Sequence, residues 1–264
     1  MKLTRLFLAV YAVMFFSALY TPIAILIGLS FNGSRNINVW GGFTTDWFGV
    51  ALANTAYTKA LTNSFVVALS TAGLSIVLGT FAGIGLARLS TGRFGIMWEA
   101  LMLLPLIIPE IIEAISISWF YRALSIPNGV PATILGHTVF SVSFVALIVR
   151  ARMGDVGRSY EEASMVLGAN RLQTFGRIVL PLAAPAILAG AFLAFAASFD
   201  DVVKSIFTIG KDMLPIVVFA EAHRGGVKSP LLALATIMVM ISVSAALLRV
   251  LTETRDRLDV LLEL

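Results

Sequence analysis

Five carboxylates stand in stretches that are otherwise apolar. Glu99, Glu110 and Glu113 fall in "IMWEALMLLPLIIPEIIEAISISWFYR", and Asp200 and Asp201 fall in "AFAASFDDVVKSIF". A carboxylate facing lipid costs a few kcal/mol, so such groups face water, a polar interior or a partner. Glu110 and Glu113 are one helical turn apart and share a face. Counted from Ile96 along one continuous helix, Glu110 lies about 21 Å in, which puts it in the outer half of a bilayer core of about 30 Å. Neighbours on a helix point about 100° apart, so Asp200 and Asp201 cannot serve one small site equally. Trp119, Tyr121 and Phe199 lie at similar depth. Carboxylates neutralise ammonium groups, and aromatic faces add cation–π attraction and cover methylenes. Glu99 lies near the inner end and reaches the interface, whereas Glu110, Glu113, Asp200, Asp201 and these aromatics read as a low-affinity cation path. An alternative reading stays open: the aspartates cap their helix and pair with Lys204 or Arg122, and the aromatics form an interfacial belt.

These groups need helices to carry them. The chain has 264 residues, of which 58% are hydrophobic and 13% charged, with a mean hydropathy of +0.92. A soluble domain of this length cannot hide so much apolar surface, so the expectation is an all-α polytopic membrane protein. Six segments have the roughly 20 apolar residues of a span: about 6–30, 64–88, 96–121, 132–150, 177–203 and 231–250. The first is too long for a signal-peptide core and reads as an uncleaved span. With the N-terminus inside, basic residues divide twelve to seven in favour of the inner side, which predicts N-in and C-in. Arg88, Arg93, Arg150, Arg152, Arg158, Arg171 and Arg177 carry most of the bias, with Arg249, Arg255 and Arg257 at the end of the chain. Ser229 and Pro230 mark a helix start before the sixth span.

Other chemistries are poorly served. The absence of cysteine excludes disulfides and thiolate metal sites. His137 and His223 are far apart, and no serine or carboxylate at recognisable spacing joins them into a triad or a metal pair. Gly79 and Gly83, with Gly85 beside them, form the G-x-x-x-G spacing of close helix packing.

One polar interruption stands out on the inner side. In "SYEEASMVLGANRLQ", residues 159–173, Ser159 and Glu162 have capping-box spacing, as do Asn170 and Gln173. Gly168 supplies a left-handed helix end between them. Two short helices should therefore meet at Gly168. The first presents an apolar patch beside acids, and outside the bilayer such a patch needs a protein partner or the membrane surface.

The stretch "EASMVLGANRLQTFGRIVLP" resembles the cytoplasmic EAA signature of permease subunits of bacterial ABC importers. Glu162, Ala163, Gly168, Ile178, Leu180 and Pro181 stand at the family spacing, and Ser164 replaces the second alanine. The likeness continues in "SFNGSRNINVWGGFTTDWF", "LPLIIPEIIEAIS", the run through "SFDDVV", and "SPLLALATI". It is strongest to the second permease subunit of spermidine/putrescine importers. The resemblance implies a type I importer permease fold, with the whole chain as one transmembrane domain and a coupling hairpin at about 155–176. It implies that Glu161, Glu162, Ala163, Ser164, Leu167, Gly168, Ala169 and Asn170 dock on an ATPase.

The chain has no G-x-x-x-x-G-K-[ST] phosphate loop. It is expected not to be an enzyme itself and to bind no cofactor. ATP and magnesium belong to a partner pair of ATP-binding subunits. A second, homologous permease and an external solute-binding protein complete the expected assembly, in a bacterial inner membrane. The cargo implied is a polyamine, with an opine, another amino-derived compound, ferric ion or thiamine as alternatives. An ion-coupled secondary transporter using Glu110 and Glu113 as proton sites is the rival of a different class; the hairpin and the lack of inverted halves count against it.

Overall fold

The computed structural model describes residues 2–89, 92–225 and 228–244. They are mostly helical, in the order α1 (Lys2–Ser30), α2 (Asp46–Ala53), α3 (Thr55–Leu89), α4 (Arg93–Ile107), α5 (Glu110–Ala123), α6 (Val130–Val156), α7 (Ser159–Val166), α8 (Arg171–Thr174), α9 (Leu180–Phe199), α10 (Val203–Thr208) and α11 (Leu214–Gly225). A last apolar helix, α12, covers Ser229–Ser244. One π-helical turn, Phe175–Val179, joins α8 to α9, so Arg171–Phe199 runs as one helix. By length and composition, four helices are long and apolar enough to cross a membrane, and five if α4 and α5 count as one span. The remainder of the expected sixth span, with Arg249, Arg255 and Arg257, lies outside the described residues.

The expected third span is not one continuous helix. It breaks at Ile108–Pro109, and its two halves are bent by 103°. Proline disfavours helical backbone in the residue before it, and Ile108 is accordingly extended, with φ −66° and ψ 132°. Pro109 also has no N–H to continue the ladder. Pro105 sits inside α4 without ending it. The depth assigned to Glu110 by counting from Ile96 therefore fails. Glu110 and Glu113 instead open α5 in its first turn, where the helix dipole favours negative charge.

The chain divides into two compact units. One comprises Met1–Thr58 and Val217–Val243. Here α1 is exposed along its apolar length, and the loop after it is tied around buried Asn32. The Asn32 amide donates to the Val39 carbonyl at 2.9 Å, and its Oδ1 accepts from Gly41 N at 2.8 Å. Its own carbonyl accepts from the Trp47 indole at 2.7 Å. Ser229 is the first residue of α12 rather than its N-cap, and its hydroxyl donates to the Ser34 carbonyl at 2.7 Å.

The other unit, built on Lys59–Ile216, carries the candidate sites. Its core lies where α3, α6 and α9 cross around Val145, Val149, Met153, Ala183 and Ala186. Small residues permit that crossing. A Cβ on Gly79 would lie 2.5 Å from Val145 Cβ, and one on Gly83 would lie 2.5 Å from the Ala146 carbonyl oxygen. From α9, a Cβ on Gly190 would lie 3.1 Å from Val145 Cα. The close packing expected of Gly79 and Gly83 is present, whereas Gly85 has nothing within 4 Å. At the end of this bundle Glu99 accepts from Arg150 at 2.6 Å, joining α4 to α6.

Candidate functional site

Two constellations emerge in this unit. The first surrounds Lys204, on short α10 just after the end of α9. Asp201 stands one residue before the N-cap of α10, and its Oδ1 accepts the Ser205 N–H at 3.0 Å. This fixes the carboxylate, and its Oδ2 lies 2.7 Å from the Lys204 ammonium. The same ammonium donates to Glu110 Oε1 on α5 and lies 4.5 Å from the centroid of the Phe140 ring on α6. Lys204 and Asp201 are buried, whereas the Glu110 side chain is 48% exposed. His137 of α6 lines the floor. Its Nδ1 is 2.7 Å from Ser198 Oγ, and its Nε2 is 3.2 Å from Ser205 Oγ and 3.5 Å from Asp201 Oδ1.

Glu113 completes the group. It is 7% exposed, and among the described residues neither carboxylate oxygen has a hydrogen-bond partner. It is close enough to feel the charges of Lys204, Glu110 and Asp201. Two carboxylates thus pair with one ammonium, and a third, buried and without a partner among the described residues, lies near them.

The structure sorts the sequence candidates. Glu110, Glu113 and Asp201 come together, from segments about 90 positions apart. Asp200 is exposed and Asp201 buried, as their angular offset requires. Lys204, not Arg122, partners Asp201, and it also partners Glu110. Phe199 is fully buried against Phe65 and Phe195, with ring centroids 5.2 and 5.5 Å away. Tyr121 is buried beside Gly136, and Trp119 is 74% exposed. These three serve packing and surface rather than the ionic group. Sequence reasoning passed over His137, Phe140, Ser198 and Ser205. A histidine inside a spanning helix was the available signal, because ionisable groups there need a partner.

The second constellation is the hairpin. Gly168 has φ +91° and ends α7 as expected. Its N–H donates to the Met165 carbonyl at 3.0 Å, and the Ala169 N–H donates to the Ser164 carbonyl at 3.1 Å. This bond pair is the Schellman helix end. Asn170 and Gln173 form the expected capping box: Gln173 N donates to Asn170 Oδ1 at 2.9 Å and Asn170 N to Gln173 Oε1 at 3.0 Å. The other box is absent. Ser159 lies inside α7, Arg158 holds the cap position, and no side chain caps that end. Ser164, which stands where the family has alanine, places its hydroxyl 3.1 Å from Thr174 Oγ1 and so ties α7 to α8.

None of the α7 residues is buried. Val166, Leu167 and Leu172 are more than 80% exposed, with Glu162, Ala163 and Asn170 around them. A groove of about 410 Å³ lies beside this surface, lined by Arg88, Glu161, Met165 and Phe175 among others. Arg88, at the end of α3, braces the hairpin. It donates to the carbonyls of Met153 and Gly157, both at 3.2 Å, and pairs with Glu161. The Arg158 guanidinium returns a bond to the Arg88 carbonyl.

This helical bundle with an exposed hairpin has the fold of an ABC importer permease. It aligns with a bacterial ABC transporter involved in the import of the acidic polysaccharide alginate at a TM-score of 0.70, over 96% of each chain and at 15% identity. Residues 75–257 match the family described as "Binding-protein-dependent transport system inner membrane component", and the chain belongs to that family. It is 36% identical over 232 residues to "Putrescine transport system permease protein PotI" of Escherichia coli, covering 85% of this chain and 82% of the relative. It is 33% identical to "Spermidine/putrescine transport system permease protein PotC" of the same organism, covering 86% of each. The chain is thus a permease subunit of an ABC importer and a multi-pass membrane protein.

Proposed function

We propose that this permease carries a polyamine such as putrescine or spermidine across the bacterial inner membrane, along a path that includes Glu110, Glu113 and Asp201. The observation that carries this reading is the pairing of Glu110 and Asp201 with a primary ammonium, that of Lys204, with buried Glu113 beside them. A place built for one alkylammonium has the right chemistry for another, and the relatives named for putrescine and spermidine agree with it. Asp200 and Trp119, both exposed, belong to the approach to that path, while buried Tyr121 and Phe199 pack the helices that carry it.

The chain works as one transmembrane domain of six spans with both termini inside, which puts residues 155–176 in the cytoplasm. There Glu162, Ala163, Leu167, Gly168, Ala169 and Asn170 dock on one of a pair of ATP-binding subunits, which hold ATP and magnesium. Glu161 and Ser164 face inward to brace the hairpin. A compact lever joined to two spans transmits a rigid-body displacement into the bilayer. Closure of the ATPases draws the hairpins together and opens the cavity to a docked solute-binding protein. A second, related permease forms the other wall.

Labelled putrescine uptake by cells with and without this subunit tests the cargo. Loss of uptake on deletion is expected. Unchanged uptake would overturn the polyamine assignment and turn attention to opines, other amino-derived compounds, ferric ion or thiamine. Uptake abolished by a protonophore but indifferent to ATP depletion would instead indicate a secondary transporter.

A further inference from the structure

Lys204 is chemically a tethered butylammonium, four methylenes ending in a primary ammonium. Its surroundings are those that the end of a free primary alkylammonium would require. The ammonium lies 2.7 Å from Asp201 Oδ2, donates to Glu110 and rests over the Phe140 ring. The two carboxylates are unequal partners. The Asp201 side chain is 1% exposed and is locked by the Ser205 N–H. Glu110 is half exposed and opens a helix that follows a break in the chain. Glu113, one turn along the same face, keeps a buried carboxylate with no hydrogen-bond partner among the described residues. A buried charge is stable only when paired, and this group has three carboxyl groups for one ammonium.

We propose that Lys204 is a resident competitor for a site that takes linear primary ammonium ions, and that Glu110 is the carboxylate exchanged between them. This rests on the cation-path reading above. An arriving ammonium takes Glu110 together with Glu113, and Lys204 falls back on Asp201. When the cavity reopens inward, the lysine reclaims Glu110 and expels the cargo. A transport site must bind well enough to admit its cargo and weakly enough to release it, and a tethered competitor provides that balance in a cluster with more carboxyl groups than ammonium groups.

The test uses the complete importer, reconstituted with its ATPases and binding protein, and labelled putrescine. If the wild type does not transport putrescine, the cargo reading fails and takes this inference with it. If it does, the Lys204→Met variant decides. Without binding protein, at a fixed subsaturating concentration, it should retain at least about tenfold more label than the wild type, with slower uptake. Adding Glu110→Gln to it should bring retention back to within about threefold of the wild type. Retention by Lys204→Met at or below the wild-type level overturns the proposal while leaving the cargo reading intact. Should Lys204→Met fail to assemble, Glu110→Gln alone decides. Its uptake should fall by at least about tenfold with assembly intact, and a smaller loss overturns the proposal.

Discussion

Arg88 and Glu161 form an ion pair between the end of α3 and the first turn of α7. The same guanidinium holds the carbonyls of Met153 and Gly157. A movement of the hairpin is thereby passed to α3 as well as to the helices that flank the hairpin in sequence. Arg88→Gln should lower both the thermal midpoint of the purified assembly and its uptake, since each partly buried group left unpaired costs about 1–3 kcal/mol. Glu161→Gln added to Arg88→Gln should cost little more than Arg88→Gln alone, because both remove one interaction. Full additivity in a double-mutant cycle would contradict the pairing.

Gly168 carries a positive φ of 91° with nothing within 4 Å of a built Cβ. Backbone conformation, not space, therefore limits substitution. A β-branched residue there is strained by about 1–3 kcal/mol. Gly168→Val should keep ATP hydrolysis but lose uptake, measured as cargo moved per ATP. Gly168→Asn should retain most of the coupling, because asparagine tolerates left-handed backbone. Normal coupling in Gly168→Val would show that the turn is not needed.

The α3–α6 crossing predicts a sharp contrast between two glycines two positions apart. Gly83→Ala drives a methyl to within 2.5 Å of the Ala146 carbonyl oxygen, whereas Gly85→Ala meets nothing within 4 Å. Overpacking of this kind costs about 1–3 kcal/mol. Thermal unfolding in detergent should show a lowered midpoint for Gly83→Ala and a midpoint unchanged or raised for Gly85→Ala. Equal effects would contradict the crossing.

Glu113 separates stability from transport. Its carboxylate oxygens are buried without hydrogen-bond partners among the described residues. Glu113→Gln replaces a buried ionisable carboxyl group that has no partner among the described residues with a neutral amide, so the thermal midpoint should rise while putrescine uptake falls. A fall in both would make Glu113 a structural residue.

The parts legible in the sequence were those whose physics is local. Gly168, Asn170 and Gln173 announced a helix end and a helix start within six residues, and both formed. Gly79 and Gly83 announced a close crossing, though not that Val145 and Ala146 would fill it. Pro109 announced a kink, but its 103° bend ended the helix count that had placed Glu110. Ser159 had the spacing of a cap, but the chain enters α7 from Gly157 and Arg158 with helical backbone at Arg158, which leaves Ser159 inside the helix. The Lys204 cluster was the least legible. Lys204 and Glu110 are 94 positions apart, and nothing in one sequence reveals that α10 lies against α5. The i,i+3 spacing of Asp201 and Lys204 was the one local trace of it.

Central to the account is a cytoplasmic hairpin gripped by a separate motor. The chain has no native cysteine, and Leu167 is 88% exposed at the hairpin tip, so Leu167→Cys introduces a single reporter thiol. In sealed native membranes, a bifunctional thiol reagent should cross-link it to an ATP-binding subunit, and impermeant reagents should reach it from the cytoplasmic face alone. Labelling from the outer face, or cross-links that never include an ATP-binding subunit, would contradict the account.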